Sequence, residues 1–256
     1  MKITELVSLN YDGDVARLTL HRPPLNFINL ELLRQIGLHL ESMGESPACR
    51  ALIFDSDLPA FSAGLEMSEL TRESIFALLE QFHCIVRGLH SFMRPTIALV
   101  RGIALGAGNE LLASCDFVFA SEKASFGQPE VKIGSIPSLA PLALPPLIGS
   151  RRAVEMILTG NLINATEAER IGLINRALPD GQVEAAAEEL LKTLRGLSTS
   201  VLEIALQSAR RTRKHELESH LRYIESLYLN QLMYLEDPLE GVQAFLDKRQ
   251  PAWKNK

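Results

Sequence analysis

Two glutamates and two short runs of small residues are where this chain can do chemistry. Gly106-Ala107-Gly108 follows an apolar strand-like run at 97–100 and the turn Arg101-Gly102, and it opens a helix predicted over 109–114. A strand that turns through small residues into a helix leaves backbone N–H groups unpaired, at the positive end of the helix dipole. Such a mouth suits an anion. Glu110, one turn inside it, does not; it suits moving a proton or holding a water. Ser62-Ala63-Gly64-Leu65 is a second small-residue turn after a predicted strand. Small side chains let a ligand approach the backbone closely. Two such turns face to face offer two N–H donors to one oxygen, which is what an oxyanion hole requires. For either turn alone, close packing is the commoner explanation.

Glu130 supplies the second carboxylate, after Pro129 and between Phe126 and Val131. An ionised carboxylate is costly to bury unpaired, so each glutamate is partnered, at the surface or functional. Flanking one anion site, the pair can hold one water between them. One carboxylate takes its proton while the other donates or orients, which suits addition of water across a polarised double bond.

Other chemistries lack their patterns. Neither turn matches GxxxxGK[ST] or GxGxxG, and there is no HExxH or GxSxG. His21, His39, His83, His90, His215 and His220 show no ligand spacing and are given no catalytic role. Cys49, Cys84 and Cys115 form no CxxC pair; each sits beside apolar residues and reads as core filler in a reducing compartment. No metal site is expected.

The elements that must position these groups alternate between strand and helix, which argues for an α/β architecture. Strands are expected at 6–10 and 15–20, joined by a hairpin at Asp12-Gly13-Asp14, then at 51–55, 97–100, 117–120 and 173–175. Asn29 caps a helix from 30 to about 43. A helix is expected after the first small-residue turn, with Glu66 and Glu69 in its opening turns. Further helices are expected at about 74–92, 152–158, 167–171 (capped around Asn164-Ala165-Thr166) and 184–195. From about 197 only helical periodicity remains. Ser198-Thr199-Ser200 therefore divides an α/β core, 1–196, from a helical region, 197–256.

The 256 residues carry a net charge of −5, and no concentrated basic face suggests nucleic acid. The densest basic cluster, Arg210-Arg211-Thr212-Arg213-Lys214, precedes two glutamates and reads as a solvated helix face. The start, MKITELVSLN, lacks the apolar segment of a signal peptide. The one long apolar stretch, 133–148, is interrupted by Pro137, Pro141, Pro145 and Pro146, so no membrane span is expected. A soluble cytoplasmic protein is the expectation.

Taken together, the motifs resemble the crotonase superfamily of enoyl-CoA hydratases and isomerases over nearly the whole chain. AFSAGLEMSEL is similar to the family's first oxyanion loop, RPTIALVRGIALGAGNELLASCD to its second loop and core helix, and SFGQPEVKIGSIP to its second-glutamate loop. RRAVEMILTG, TEAERIGLIN and GVQAFLDKRQPAW are similar to later blocks. The resemblance implies a spiral of repeated ββα units with a C-terminal helical trimerisation region. The assembly it implies is a trimer or a dimer of trimers.

The resemblance also assigns roles. It implies that the N–H groups of Leu65 and Ala107 form the oxyanion hole for a thioester oxygen. Ala107 stands where the family usually has glycine, but only a backbone donor is needed. Glu110 and Glu130 match the two catalytic glutamates. Ala63 and Met67 lie where the family holds the adenine end of coenzyme A, and Leu25 lies near its pantetheine arm. Phe245 and Lys248 match positions that approach a neighbouring subunit's coenzyme A. The implied substrate is an acyl-CoA thioester, with coenzyme A part of the substrate and no separate cofactor.

The family's hydratases usually follow the second glutamate with a glycine-rich loop; Pro137-Ser138-Leu139-Ala140-Pro141 has no glycine. Ser138 and Leu139 are therefore the expected determinants of the acyl pocket. That loop, the HRPPLN start and the C-terminal sequence look most like cyclohexadiene-carbonyl-CoA hydratases. Hydration of an α,β-unsaturated thioester, including alicyclic dienoyl ones, is the expected activity. Double-bond isomerisation is the alternative within enzymes. A catalytically silent acyl-CoA-binding or assembly protein is the alternative outside them.

Overall fold

A computed structural model describes residues 4–44 and 49–256, without the side chains of 44 and 211–215. Among the described residues, nine strands form two sheets. The larger contains β1 (Val7–Asp12), β2 (Val15–Leu20), β3 (Ala51–Ser56), β4 (Thr96–Val100), β6 (Phe117–Ser121) and β9 (Arg176–Leu178), in the order β1-β2-β3-β4-β6-β9. Within this sheet β1 and β2 pair antiparallel and the other described pairs are parallel; the β1–β2 hairpin turns at Gly13, where φ is +58°. The central strands β3 and β4 are buried on both faces and mostly apolar, as expected of parallel strands covered on both sides. The smaller sheet holds β5 (Ile103–Leu105), β7 (Ser125–Gly127) and β8 (Ile163–Asn164).

The chain alternates between the two sheets. β4 runs into β5 and then α3 (Ala107–Ala113); β6 runs into β7 and then a 3-10 turn, Pro129–Ile133. Both small-residue turns thus meet at the junction of the sheets, where Ser62 bridges Ala104 of β5. Helices α1 (Leu30–Gly44) and α2 (Ile75–Ser91) pack beside each other, with Leu33, Ile36, Leu78 and Phe82 in the main core. Asn29 caps α1 as expected: its Oδ1 accepts the Leu32 N–H at 2.9 Å.

Several expectations need correction. No α-helix follows the first small-residue turn, only the 3-10 turn Met67–Glu69. Its acidic residues serve other elements: Glu69 accepts the Leu30 N–H at the start of α1 (2.8 Å), and Glu66 pairs with Arg22 (2.8 Å). The strand expected at 173–175 lies three residues later, as β9. Leu173 and Ile174 plug the core, and Asn175 leads into the strand: its side chain takes the Val118 N–H (2.7 Å) and its own N–H donates to the Val118 carbonyl (2.9 Å). The proline-broken stretch contains a helix, α4 (Ala140–Ile148), with Pro141 in its first turn, where a missing N–H costs nothing. Cys84 is exposed rather than core filler; Cys49 and Cys115 are buried.

The remaining helices are α5 (Ser150–Thr159), α6 (Ala165–Ile171), α7 (Val183–Arg195), α8 (Thr199–Asn230) and α9 (Asp237–Leu246). Asn164 caps α6 by accepting the Glu167 N–H at 2.8 Å. Leu217, Leu221, Ile224 and Tyr228 of α8 belong to the same core as the sheet and α2. Arg210 is not on a solvated face. It is buried against Asp116 (Nε to Oδ1, 2.8 Å) and donates to the Leu89 carbonyl. The rest of that basic cluster, with His215, lies outside the described side chains. A charge network ties the site's approach to α7: Arg17 and Arg101 both donate to the buried carboxylate of Asp55, each at 2.5 Å, and both reach Glu184.

Candidate active site

The two small-residue turns lie against each other. A Cβ on Gly64 would sit 3.8 Å from the Ala107 nitrogen and 3.2 Å from the Leu105 carbonyl oxygen. The first turn is stapled from below by Asn26, whose side chain the sequence alone did not single out. The Ser62 hydroxyl donates to the Asn26 carbonyl (2.8 Å), and the buried Asn26 amide donates to Ala60 (3.0 Å) and Ser56 (2.7 Å). Ile28 pairs with the turn by donating to the Gly64 carbonyl and accepting from Glu66 N–H, which leaves the Leu65 N–H outside the bridge. Ala107 opens α3, so its N–H has no partner within the helix. Its φ is not positive, so alanine is accommodated there; the conformation that needs glycine falls on Gly106, at φ +53° and ψ −127°.

Both carboxylates reach this junction. Glu110 is 2% exposed, and its Oε1 accepts two N–H groups from the start of α4, Leu139 (2.5 Å) and Ala140 (2.7 Å). Burial pushes its carboxyl up to about 7, and those two N–H bonds offset part of the rise. Glu130 lies against the second turn: a Cβ on Gly106 would come within 2.8 Å of its Oε1. Burial first, and then the charge of Glu110, hold the Glu130 carboxyl well above the ordinary range. Near neutrality the pair therefore retains a proton that ordinary carboxylates would have lost.

Sequence reasoning also missed an amide link to Glu130. With its nitrogen turned toward the carboxylate, the buried Gln128 amide donates to Glu130 Oε1 (2.9 Å) and Oε2 (3.2 Å) and accepts from Asn109 Nδ2 (3.2 Å). The available signal was position: each amide lies one or two residues from a singled-out glutamate.

The other expected residues fall into two groups. Leu25, Ala63 and Met67 cluster beside the first turn, where Ala63 donates to the Leu25 carbonyl at 3.0 Å. Phe245 and Lys248 lie at the far end of α9, both with exposed surface. That helix packs on this chain's own turns at Met67–Glu69 and Pro129–Ile133; Gly241 lies so close that a Cβ would come 2.2 Å from the Ile133 carbonyl oxygen. Ser138 and Leu139 are buried beside Glu110. Leu139 also lines an apolar cavity of about 200 Å³ with Ala113, Leu142 and Leu217. Another cavity, of about 780 Å³, lies between the end of α2 and α8 and is lined by neither Glu110 nor Glu130. Among the described residues no cluster of three metal-ligating side chains occurs, and no helix is long and apolar enough to cross a membrane.

Comparison with known proteins gives a consistent result. The family model described as enoyl-CoA hydratase/isomerase matches residues 10–256. A cyclohexa-1,5-dienecarbonyl-CoA hydratase from Thauera aromatica is 33% identical, over 98% of this chain and 96% of that protein. The crystal structure of an enoyl-CoA hydratase from Bacillus anthracis superposes with a TM-score of 0.78 at 30% identity, covering 98% of this chain and 100% of that one. An enoyl-CoA hydratase structure from Mycobacterium avium subsp. paratuberculosis shares the fold with a TM-score of 0.89 at 24% identity, covering 99% and 100%.

Proposed function

The chain belongs to the enoyl-CoA hydratase/isomerase family, and on that premise we propose that it adds water to the double bond of an α,β-unsaturated acyl-CoA thioester. One observation carries the reading: two carboxylates of raised pKa converge on a pair of turns that carry free N–H groups. The N–H groups of Leu65 and Ala107 would receive the thioester oxygen as negative charge develops on it. The ionised member of the glutamate pair takes a proton from water as the oxygen attacks the β-carbon. The protonated member delivers a proton to the α-carbon. The proposed step draws only on these groups, coenzyme A being part of the substrate. Leu25, Ala63 and Met67 would line its path, with Phe245 and Lys248 at the outer end.

For the acyl part we propose an alicyclic dienoyl group, which the Thauera relative supports. Ser138 and Leu139 are the residues to set that preference. A turnover screen of linear and cyclic enoyl-CoA thioesters in heavy-oxygen water tests both levels. Hydration predicts one labelled oxygen per product, with the cyclic diene turned over best. An unlabelled product with a moved double bond would instead mean isomerisation. Tight binding without turnover of any thioester would mean a silent protein.

We also propose that the region from 197 onward serves assembly into a trimer or a dimer of trimers, in the cytoplasm. Exposed apolar side chains along it support this, among them Val201, Ile204, Tyr223 and Tyr234. Light scattering should give a mass of three or six chains; a monomer mass would remove the proposal.

A further inference from the structure

The segment 135–138 joins the two glutamates. It starts where the Ser135 N–H donates to the Glu130 carbonyl (2.9 Å), and it ends immediately before the Leu139 and Ala140 N–H groups that hold Glu110. Its conformation therefore sets the position of one carboxylate relative to the other. Pro137 restricts the segment locally, and a long-range partner holds its two ends. Helix α8 runs antiparallel alongside and grips both ends.

At one end, the Tyr228 hydroxyl donates to the Ile136 carbonyl, and the Ser135 hydroxyl lies 2.9 Å from the Tyr228 hydroxyl oxygen. Tyrosine has a single hydroxyl hydrogen, so Ser135 is the donor in that second bond. At the other end, His220 Nε2 lies 3.1 Å from the Ser138 carbonyl oxygen. A carbonyl only accepts, so Nε2 carries the hydrogen. The two side chains are about 12 Å apart along the helix. Helix α8 is itself fixed to α2 between them, by Glu225 against the fully buried His83 at 2.6 Å.

We propose that His220 and Tyr228 are positioning residues of the reaction, which hold the 135–138 segment so that Leu139 and Ala140 present their N–H groups to Glu110 while Glu130 stays against Gly106. The inference rests on the proposed hydratase reading for its kinetic consequences, but not for its structural ones. A purely structural role would lower stability without changing the state of Glu110. A positioning role changes that state: the two N–H bonds offset the effect of burial, so loosening them raises the Glu110 carboxyl further.

The test uses the full chain with Tyr228→Phe, His220→Ala and His220→Gln, since the glutamine amide can replace the Nε2–H donor. Two readouts are taken. One is kcat and KM on crotonyl-CoA. The other is the carbon-13 carboxyl titration of Glu110, assigned with Glu110→Gln, together with amide exchange at Leu139 and Ala140. Tyr228→Phe and His220→Ala should lower kcat about 10- to 100-fold while KM stays within about threefold, the signature of misplacement rather than lost binding. Both should move the Glu110 midpoint upward and speed exchange at the two amides. His220→Gln should return kcat, the Glu110 midpoint and the amide exchange most of the way to the parent. An unchanged Glu110 midpoint and unchanged exchange in folded Tyr228→Phe and His220→Ala would overturn the proposal, whatever happens to Tm. Failure of His220→Gln to restore them would overturn the donor role of His220. If the parent turns over no thioester, the hydratase reading fails, and the titration and exchange arm still decides whether the two side chains position Glu110.

Discussion

Glu110→Gln should bind an enoyl-CoA and scarcely turn it over, and it should be at least as stable as the parent at alkaline pH. Removing a general acid–base group costs about 10²- to 10⁴-fold in rate, so kcat should fall by that much while KM changes little. The stability half of the result follows from geometry. Both N–H donors, Leu139 and Ala140, converge on a single oxygen, Oε1, while the Ser138 hydroxyl lies 3.5 Å from Oε2. A glutamine placed with its carbonyl oxygen at the Oε1 position keeps both strong bonds and loses only the charge.

The charge is what burial penalises. The Glu110 carboxyl titrates at about 7 instead of near 4.5, so the folded state holds its proton over a range where the unfolded chain has lost it. Stability from this group is complete below the unfolded value and is lost as pH rises through about 7. The loss amounts to on the order of 3 kcal/mol by pH 8. Glu130, raised in the same direction, contributes with the same sign. Urea unfolding of the parent between pH 5 and 8 should therefore show stability declining. In Glu110→Gln the decline should be smaller and activity nearly absent. A variant with parental kcat, or one whose stability falls as steeply with pH as the parent's, contradicts this account of the site.

How much of this was legible in the sequence depends on how far each signal had to travel. The glutamates and both turns announce themselves locally, because a carboxylate or a run of small residues is read from a few adjacent positions. The alternation of strands and helices gave the α/β architecture for the same reason. Strands β5 and β7 are three residues each, too short for any periodicity to register. Glu66 and Glu69 looked like the acidic first turn of a helix, and composition cannot show that one serves α1 and the other Arg22. His220 and Tyr228 were invisible as site residues because their partners lie 82 and 92 residues earlier. Helical spacing shows which face of α8 is apolar, not what it faces. Arg210 was misread for that reason: its carboxylate partner, Asp116, is 94 residues away.

Gly106 carries the second large expected effect, since one methyl group there acts on both halves of the site. The residue sits at φ +53°, ψ −127°, where any side chain is strained at a cost of about 1–3 kcal/mol. It also orients the Ala107 N–H, the donor proposed for the thioester oxygen. The added Cβ of Gly106→Ala would come 2.8 Å from Glu130 Oε1. A carboxylate at the end of a flexible side chain can move away, so the contact should displace Glu130 more than it unfolds the protein. The expected result is a kcat lower by about 10²-fold or more, out of proportion to the fall in Tm. Gly13→Ala separates these contributions. That glycine has φ +58° in the β1–β2 hairpin, with nothing within 4 Å of the new Cβ, so it reports strain alone. It should lose about 1 kcal/mol of stability and no activity. If Gly106→Ala behaves like Gly13→Ala, with stability reduced and kcat intact, then Glu130 and the Ala107 N–H do not work together at this turn. If kcat collapses while Tm falls only as far as in Gly13→Ala, the loss belongs to the displaced carboxylate and the misdirected N–H rather than to the fold.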